Sequence, residues 1–179
     1  AINGTKKVLE EIYKNGEKID SCIVGEPTCP YKLGEMVKIG RRGSFSAKIS
    51  ITGKQGHVAY PQWTLNPIDS LTKILNSIIS LELDEGTEDF PPSNIEIVKI
   101  KSSDGASNVV PQSAEGIFNI RYNVKHSKES LMKIIDTIIS EQVKSTDYVS
   151  HVDYNNSAEP FLTNKGDFTE IIKTLSDEI

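Results

Sequence analysis

The sequence predicts an α+β fold: a ferredoxin-like β-α-β-β-α-β unit, residues 41–157, between two shorter α/β segments, residues 1–40 and 158–179. Two observations predict the central unit. Four stretches of strand character and two amphipathic helical stretches follow one another in that order. Each helical stretch has one apolar face, so both helices are expected to cover the same side of an antiparallel sheet. Neither flank is long enough to bury a core by itself, so the central unit is interpreted as an insertion into an α/β domain.

The first flank contains one predicted helix and two predicted strands. Residues 5–15 have a short apolar stripe between charged residues, which predicts the helix. The apolar run 21–24 is typical of a buried strand in a parallel sheet. Glu26 would then lie beyond the carboxyl end of that strand, where ligands and metals bind in open α/β sheets. From the residues alone, Glu26 could equally be a helix-capping or solvated carboxylate. A second strand is predicted at residues 35–40.

The first strand of the central unit has the most regular β pattern in the chain. Apolar and polar residues alternate between positions 44 and 52, which predicts one buried and one polar face. The expected buried set is Phe45, Ala47, Ile49 and Ile51. The strand ends at residues 53–61 (Gly-Lys-Gln-Gly-His-Val-Ala-Tyr-Pro). Because glycine adopts dihedrals closed to other residues, this Gly-X-X-Gly predicts a turn that aims the ring of His57 away from the sheet.

The remaining elements of the chain alternate between helix and strand. Asn66-Pro67 predicts a helix start, because Asn is a good N-cap and Pro suits the first helical position. Strands are predicted at residues 94–101, 113–124 and 147–154, and Ser127 is the predicted N-cap of the second helix. The apolar faces of the two helices would consist of Ile68, Leu71, Leu75, Ile78 and Ile79, and of Leu131, Ile134, Ile135, Ile138 and Ile139. The apolar pattern of the second flank predicts a helix from about residue 166.

Composition excludes several classes of function. Net charge is −5 and no basic stripe stands out, so nucleic-acid binding is not expected. No apolar run approaches the ~20 residues that span a bilayer, and the first residues do not resemble a signal peptide. Cys22 and Cys29 match no zinc or redox spacing and are expected to be reduced thiols. These observations predict a cytoplasmic protein that binds neither nucleic acid nor membranes.

Few residues in the chain could take part in catalysis. Its three histidines are His57, His126 and His151. His126 lies at a predicted helix start and His151 within a predicted strand, so both are expected to be structural or surface residues. There is no Gly-rich phosphate loop, His-Glu-X-X-His or Cys-X-X-Cys motif. The residues alone therefore favour a binding or self-association module with one histidine that could be functional.

A set of collinear motifs resembles one family of hydrolases. The motifs are residues 3–5 (Asn-Gly-Thr), 24–28 (Val-Gly-Glu-Pro-Thr), 40–44 (Gly-Arg-Arg-Gly-Ser), 53–61, 66–67 (Asn-Pro), 108–111 (Asn-Val-Val-Pro), 118–121 (Phe-Asn-Ile-Arg) and 160–163 (Pro-Phe-Leu-Thr). Together they resemble the succinyl-diaminopimelate desuccinylases, a branch of the M20 family of two-zinc aminoacylases and peptidases. Gly-X-X-Gly-His is shared across M20 enzymes, whereas Gly-Arg-Arg-Gly-Ser resembles the version of this motif in the desuccinylase branch.

The resemblance implies a catalytic α/β domain that holds two Zn²⁺, for which Co²⁺ can substitute, and an inserted dimerisation or lid domain. Such enzymes hydrolyse N-succinyl-LL-2,6-diaminopimelate to succinate and LL-2,6-diaminopimelate in the lysine and diaminopimelate pathway. Glu26 matches a carboxylate that binds one zinc. His57 matches the lid histidine that stabilises the oxyanion in the active site of the other subunit. The implied substrate-binding residues are Arg41, Ser44, Tyr60, Asn108 and Arg121.

The resemblance also implies that the chain is an internal piece of such an enzyme. The other zinc ligands and a Glu-Glu pair would lie before Ala1, and a final zinc-binding His beyond Ile179. One carboxylate cannot form a tight zinc site, so the chain alone is expected to be inactive and to bind no metal tightly. Residues 1–40 and 158–179 would be partial catalytic domain, and residues 41–157 would form a homodimer. Two alternatives stay open: another M20 amidase, such as an acetylornithine deacetylase or carboxypeptidase, or a non-catalytic self-association module.

Overall fold

The computed structural model describes residues 4–26, 28–103 and 105–177, except for the side chains of Asn156, Ser157 and Asp177. Asn3 and Pro27, which belong to two of the motifs above, lie outside the described residues. The chain divides into two compact units. One unit is Gly40–Thr163; the other consists of the segments that end at Ile39 and begin at Asn164.

The secondary structure follows the predicted β-α-β-β-α-β order in the central unit. In chain order the elements are α1 (Thr5–Lys14), β1 (Gly40–Arg41), β2 (Gly43–Thr52), β3 (Gly56–His57), a 3₁₀ helix (Pro61–Trp63), α2 (Pro67–Ile79), β4 (Asn94–Ser102), β5 (Val109–Val110), β6 (Ser113–Tyr122), α3 (Lys128–Val143), β7 (Val149–Ala158), β8 (Phe161–Leu162) and α4 (Asp167–Asp177). The main sheet has the strand order β4-β6-β2-β7, and each neighbouring pair is antiparallel. The α+β class and the ferredoxin-like unit are therefore confirmed.

The core of this unit lies between one face of the sheet and the two helices. Phe45, Ala47, Ile49 and Ile51 are all buried, as the alternation predicts. The helices contribute Leu71, Ile74, Leu75, Ile78, Leu131, Ile135 and Ile139. Both predicted caps are present: Asn66 Oδ1 accepts the N–H of Ile68, and Ser127 forms a capping box with Ser130. Ile68 and Ile79 are exposed instead of buried, because Ile74 and Ser70 complete the buried stripe of α2.

The strand predictions for the first flank are wrong. Residues 21–24 form no strand, and Ile23 and Val24 are 67% and 71% exposed. Residues 35–39 also lack strand structure, and only Gly40 enters β1. A buried parallel strand needs neighbours that complete its hydrogen-bond ladder, and the described residues of this unit contain no strand. The apolar runs therefore remain at the surface of the unit.

Strands β1 and β8 pair with each other at the ends of the central unit. Gly40 pairs with Leu162, and Arg41 pairs with Phe161. Residues 158–163 therefore belong with the central unit, which extends past the boundary at residue 157 expected from the sequence. A Cβ on Gly40 would lie 2.7 Å from the carbonyl oxygen of Phe161, so this close pairing requires glycine.

A buried polar network holds the connection between α2 and β4. The Asp84 carboxylate accepts hydrogen bonds from the Gly86 N–H at 2.7 Å, Asn123 Nδ2 at 2.6 Å and the Ser93 N–H at 3.3 Å. His126 Nε2 lies 3.2 Å from the same carboxylate. Burial acts to raise the pKa of Asp84, but the hydrogen bonds from Ser93, Asn123 and Gly86 outweigh it and lower the pKa to about 2. His126 is thus part of a structural network, as predicted.

Candidate functional site

A two-stranded ribbon carries His57 beyond the end of the main sheet. Strand β3 pairs with β5, and these strands continue the ladder formed by β2 and β6. The Gly53 N–H donates to the Gln112 carbonyl at 2.9 Å, and Gln112 Nε2 donates to the Gly53 carbonyl at 2.8 Å. These bonds tie the ribbon to the sheet. His57 is exposed at the far end of this extension.

The two glycines of the Gly-X-X-Gly motif are needed for space and not for unusual dihedrals. The described glycines with positive φ are Gly16, Gly34 and Gly86. A Cβ on Gly53 would lie 2.0 Å from the Leu65 carbonyl oxygen, and one on Gly56 would lie 2.6 Å from the Thr64 methyl group. The segment 64–65 therefore packs directly against the ribbon. The dihedral explanation expected from the sequence is wrong at both positions.

The His57 ring makes two polar contacts, and the one with the backbone defines its tautomer. Nδ1 accepts the N–H of Ala59 at 3.0 Å, and Nε2 lies 3.3 Å from Nδ2 of Asn108. Because a donor faces Nδ1, the proton of the neutral ring must be on Nε2. In the structure Asn108 faces the ring with Nδ2, so a ring that carries its proton on Nε2 would donate to Asn108 only after the amide turns to present Oδ1. His57 thus presents an Nε2–H donor at the surface.

Two aromatic residues extend the site from His57. The Tyr60 ring is tilted against His57 with centroids 5.8 Å apart, and Trp63 stacks on Tyr60 at 5.2 Å and 30°. The Tyr60 N–H donates to the His57 carbonyl and the Trp63 N–H to the Tyr60 carbonyl, so the three rings recur every third residue. Sequence reasoning selected Tyr60 but missed Trp63. The sequence does contain a signal for Trp63: His57, Tyr60 and Trp63 are spaced three residues apart, and Pro61 lies between the last two.

The other expected substrate-binding residues lie at the opposite end of the sheet. Ser44 and Arg121 are directly paired across β2 and β6. Arg41 lies three residues before Ser44, with its guanidinium 5.6 Å from the centre of the Phe161 ring. From Ser44 to the end of β2 at Thr52 the strand covers about 26 Å, and the ribbon carries His57 farther. The structure therefore brings His57, Tyr60 and Asn108 together, but keeps them apart from the Ser44 end.

Among the described residues, Glu26 has no partners that would complete a metal site. It is exposed and follows a segment without strand structure. The described residues contain no group of three or more His, Cys, Asp or Glu side chains that could hold a metal ion. Since zinc sites need three or four protein ligands, residues 4–26, 28–103 and 105–177 do not fit a zinc centre on their own. Over these residues, no helix is both long and apolar enough to cross a membrane.

Comparison with family models identifies the central unit. Residues 39–147 match the model of the M20 peptidase dimerisation domain, and this match covers more than half of the chain. The chain belongs to this family. The matched region of the dimerisation domain contains all elements from β1 to α3 and includes His57, Asn108 and Arg121.

Curated relatives of the dimerisation-domain chain extend the similarity into both flanks. A protein named succinyl-diaminopimelate desuccinylase from Pelagibacter ubique (strain HTCC1062) is 49% identical over 179 residues, which is 100% of this chain and 47% of that protein. One of the same name from Rickettsia bellii (strain OSU 85-389) is 42% identical over 178 residues, 99% of this chain and 46% of that protein. The chain thus spans about half the length of the curated relatives it matches.

Solved structures show the same fold at much lower sequence identity. A tripeptidase from Staphylococcus aureus subsp. aureus Mu50 matches with a TM-score of 0.65 and 17% identity, covering 82% of this chain and 37% of that one. The aminopeptidase PepT from Bacillus cereus ATCC 10987 matches with a TM-score of 0.66 and 16% identity, covering 82% and 38%. At these identities the likeness concerns the fold alone.

Proposed function

We propose that this chain is part of a zinc-dependent desuccinylase that hydrolyses N-succinyl-LL-2,6-diaminopimelate to succinate and LL-2,6-diaminopimelate. The observation that carries the proposal is the match of the whole chain, at 42–49% identity, to relatives named succinyl-diaminopimelate desuccinylase. The reaction would serve lysine and diaminopimelate biosynthesis. Cys22 and Cys29 are both unpaired, which supports a reducing, cytoplasmic compartment.

His57 is proposed to stabilise the oxyanion that forms when the succinyl amide is attacked. Hydrolysis of an amide passes through a tetrahedral intermediate with negative charge on the former carbonyl oxygen. The Ala59 N–H leaves His57 with its proton on Nε2, the atom that would donate to this oxygen. Asn108 Nδ2 lies 3.3 Å from Nε2, so the exposed Asn108 amide lies within reach of the same substrate group. The pair therefore supports a donor role at the tip of the ribbon.

The zinc centre of the proposed enzyme would depend on residues outside this chain. Glu26 is proposed as one ligand, because it matches the zinc-binding carboxylate of the family. It supplies one of the three or four protein ligands that a zinc ion needs. The curated relatives are about twice as long as the matched region, so they have room for the remaining ligands. The 179-residue chain alone is therefore expected to be inactive.

The two groups of site residues are proposed to serve one substrate from different subunits. Arg121 and Arg41 can bind carboxylates, and the substrate carries several. Ser44 and His57 are separated by more than the roughly 26 Å between Ser44 and Thr52, a distance that exceeds the length of the extended substrate. A single chain therefore cannot place both groups on the same molecule. A homodimer can, if the His57 end of one copy faces the Arg121 end of the other.

Edge strand β4 is the proposed contact between the two copies. Its outer side has no strand partner within the described residues, and Val98 and Ile100 are 61% and 62% exposed. Unpaired edges with apolar side chains readily add another strand. Asn94 pairs with Arg121, whereas Ser102 lies at the end from which the ribbon extends. Antiparallel pairing of β4 with its copy would therefore turn the His57 end of one subunit toward the Arg121 end of the other.

Substitution of His57 in the full-length enzyme tests the proposed function. We expect His57→Ala to lower kcat for the succinylated substrate by about 10²-fold or more, the effect of a lost oxyanion donor, with zinc content unchanged. His151→Ala is the matched control, because His151 is exposed and pairs only with Asp153 in the described part of the chain. An unchanged rate in His57→Ala, or loss of zinc, would contradict the assigned role.

Assays of the full-length enzyme and of the 179-residue chain test the proposed substrate and the expected inactivity of the chain alone. With added Zn²⁺ or Co²⁺, the full-length enzyme should hydrolyse N-succinyl-LL-2,6-diaminopimelate with a higher kcat/KM than N-acetylornithine or a dipeptide. The 179-residue chain should give no turnover under the same conditions. Turnover by the shorter chain would show that the catalytic centre is contained in it. Preference for N-acetylornithine would identify a different M20 amidase.

A further inference from the structure

We infer that Trp63 is a positioning residue for His57 and that it acts through the ring of Tyr60. The inference rests on the oxyanion role proposed above for His57. It adds a residue to the site that the sequence motifs do not single out. The three rings form a continuous series, with centroids separated by 5.8 Å and then 5.2 Å.

The hydrogen bonds of His57 leave the orientation of its ring weakly held. Both polar contacts, with the Ala59 N–H and with Asn108 Nδ2, lie at the exposed surface, where water competes for the same groups. Both also lie in the plane of the ring, so neither bond supports its faces. The ring of Tyr60 is the aromatic contact beside it. An oxyanion donor must be aimed to within a few tenths of an ångström, so this lateral contact affects the rate.

Tyr60 depends in turn on Trp63. Within the described residues, the Tyr60 hydroxyl has no hydrogen-bond partner, and its side chain is 49% exposed. Its stack on Trp63, at 30° between the planes, is therefore the contact that limits its rotation. The backbone keeps the two rings aligned, because residues 61–63 form a 3₁₀ turn in which side chains three apart lie above one another.

Trp63 has no role in the hydrophobic core that would explain its presence. Its side chain is 63% exposed, and it is not a member of the buried cluster. Removal of the indole should therefore leave thermal stability nearly unchanged. The effect should appear instead in the chemistry at His57. This separation makes a positioning role distinguishable from a structural one.

Kinetics of the full-length enzyme test the inference. We expect Trp63→Ala to lower kcat about three- to tenfold with KM nearly unchanged, the rate equivalent of one aromatic stack. Trp63→Phe should restore most of the rate. In a His57→Ala background, Trp63→Ala should cause no further loss of kcat, because Trp63 affects the rate through His57. Val149→Ala, on the exposed edge of β7, is the control for a surface truncation.

The outcomes separate this inference from the proposed function. If His57→Ala lowers kcat but Trp63→Ala does not, Trp63 is not a positioning residue and the proposed function stands. An equal loss on both backgrounds would show that Trp63 acts independently of His57 and would also overturn the inference. If His57→Ala itself leaves kcat unchanged, the result contradicts the proposed role of His57, on which the inference about Trp63 rests.

Nuclear magnetic resonance of the 179-residue chain gives a readout without turnover. The three histidines allow each ring to be assigned by substitution. Trp63→Ala should shift and broaden the ring signals of His57, Trp63→Phe should largely restore them, and the signals of His126 and His151 should not move. An unchanged His57 spectrum in Trp63→Ala would contradict the inference.

Discussion

Gly53 shows how a single residue sets the position of the His57 ribbon. Its backbone exchanges hydrogen bonds with Gln112, while Lys54 and Leu65 exchange two more at 2.8 and 2.9 Å. A Cβ on Gly53 would lie 2.0 Å from the Leu65 carbonyl oxygen, and neither backbone segment can move without breaking these bonds. The glycine is therefore required because two chain segments approach closely.

We predict that Gly53→Ala destabilises the chain by about 3 kcal/mol, near the upper range for single substitutions, because the backbone must shift. Urea denaturation followed by circular dichroism would measure the loss. Gly105→Ala is the control, since its Cβ would meet nothing within 4 Å, and it should change stability by less than about 0.5 kcal/mol. Equal effects of the two substitutions would contradict the close-packing explanation.

Asp84 should make stability depend on pH in the acid range. Its folded pKa of about 2 lies below the ordinary value of 3.8, so its contribution is fully present above about pH 4 and disappears as pH falls through 2. The shift corresponds to about 2 kcal/mol. We predict that Asp84→Asn costs about this much at neutral pH, and that its difference from the native chain narrows between pH 4 and pH 2.

Denaturant titrations of both proteins at a series of pH values would measure this difference. Other carboxylates titrate in both proteins, so their effects cancel in the comparison. Asp147→Asn, at an exposed position, controls for the loss of one charge. A difference between native and Asp84→Asn proteins that stays constant down to pH 2 would contradict the role of the buried network.

Single residues also show where sequence reasoning succeeds and where it stops. The exposed position of His57 beyond the sheet is predictable, because the turn motif that leads to it is local and complete in the sequence. The partnership of Asp84 and His126 is not, because these residues are far apart in the chain and meet only after α2 and β6 are packed. Trp63 lies between these cases. Its spacing from Tyr60 can be read from the sequence, but the stacking of the two rings depends on the path of the 3₁₀ turn at residues 61–63.

Among the elements, β2 and the two main helices follow directly from local patterns. Strict alternation between residues 44 and 52 predicts β2, which spans Gly43–Thr52. The caps at Asn66 and Ser127 set the helix starts because their side chains bond backbone groups within the same turn. The flank at 21–24 has an equally apolar pattern but no partner strand in the described residues, and an apolar run alone cannot form a sheet.

Edge strand β4 carries the prediction about self-association. We expect Val98→Lys combined with Ile100→Lys to convert the proposed dimer to a monomer, because charges of the same sign from both copies would be buried in the contact. Light scattering after size-exclusion chromatography would measure the mass. Val149→Lys, on the opposite edge of the sheet, should leave the dimer intact. A dimer that survives the β4 substitutions, or is lost with Val149→Lys, would place the contact elsewhere.

At the scale of the whole molecule, the proposed site residues lie too far apart to bind one substrate within a single chain. His57, Tyr60 and Asn108 lie on the ribbon, and Ser44 and Arg121 lie at the other end of the same strands. The motifs indicate which residues the proposal assigns to the site, but they carry no information on this separation, which depends on the register of β2 with β6. The active site proposed above, assembled from two copies, would account for this separation, and it agrees with the match to a peptidase dimerisation domain.

Complementation between two inactive variants of the full-length enzyme tests this claim most directly. His57→Ala and Arg121→Ala homodimers should each be nearly inactive. After coexpression, half of the dimers are mixed, and each contains one site with both His57 and Arg121 intact. We predict recovery of about a quarter of the native activity. If both residues served the site of their own chain, no dimer would contain an intact site, and the absence of any recovery would contradict the account.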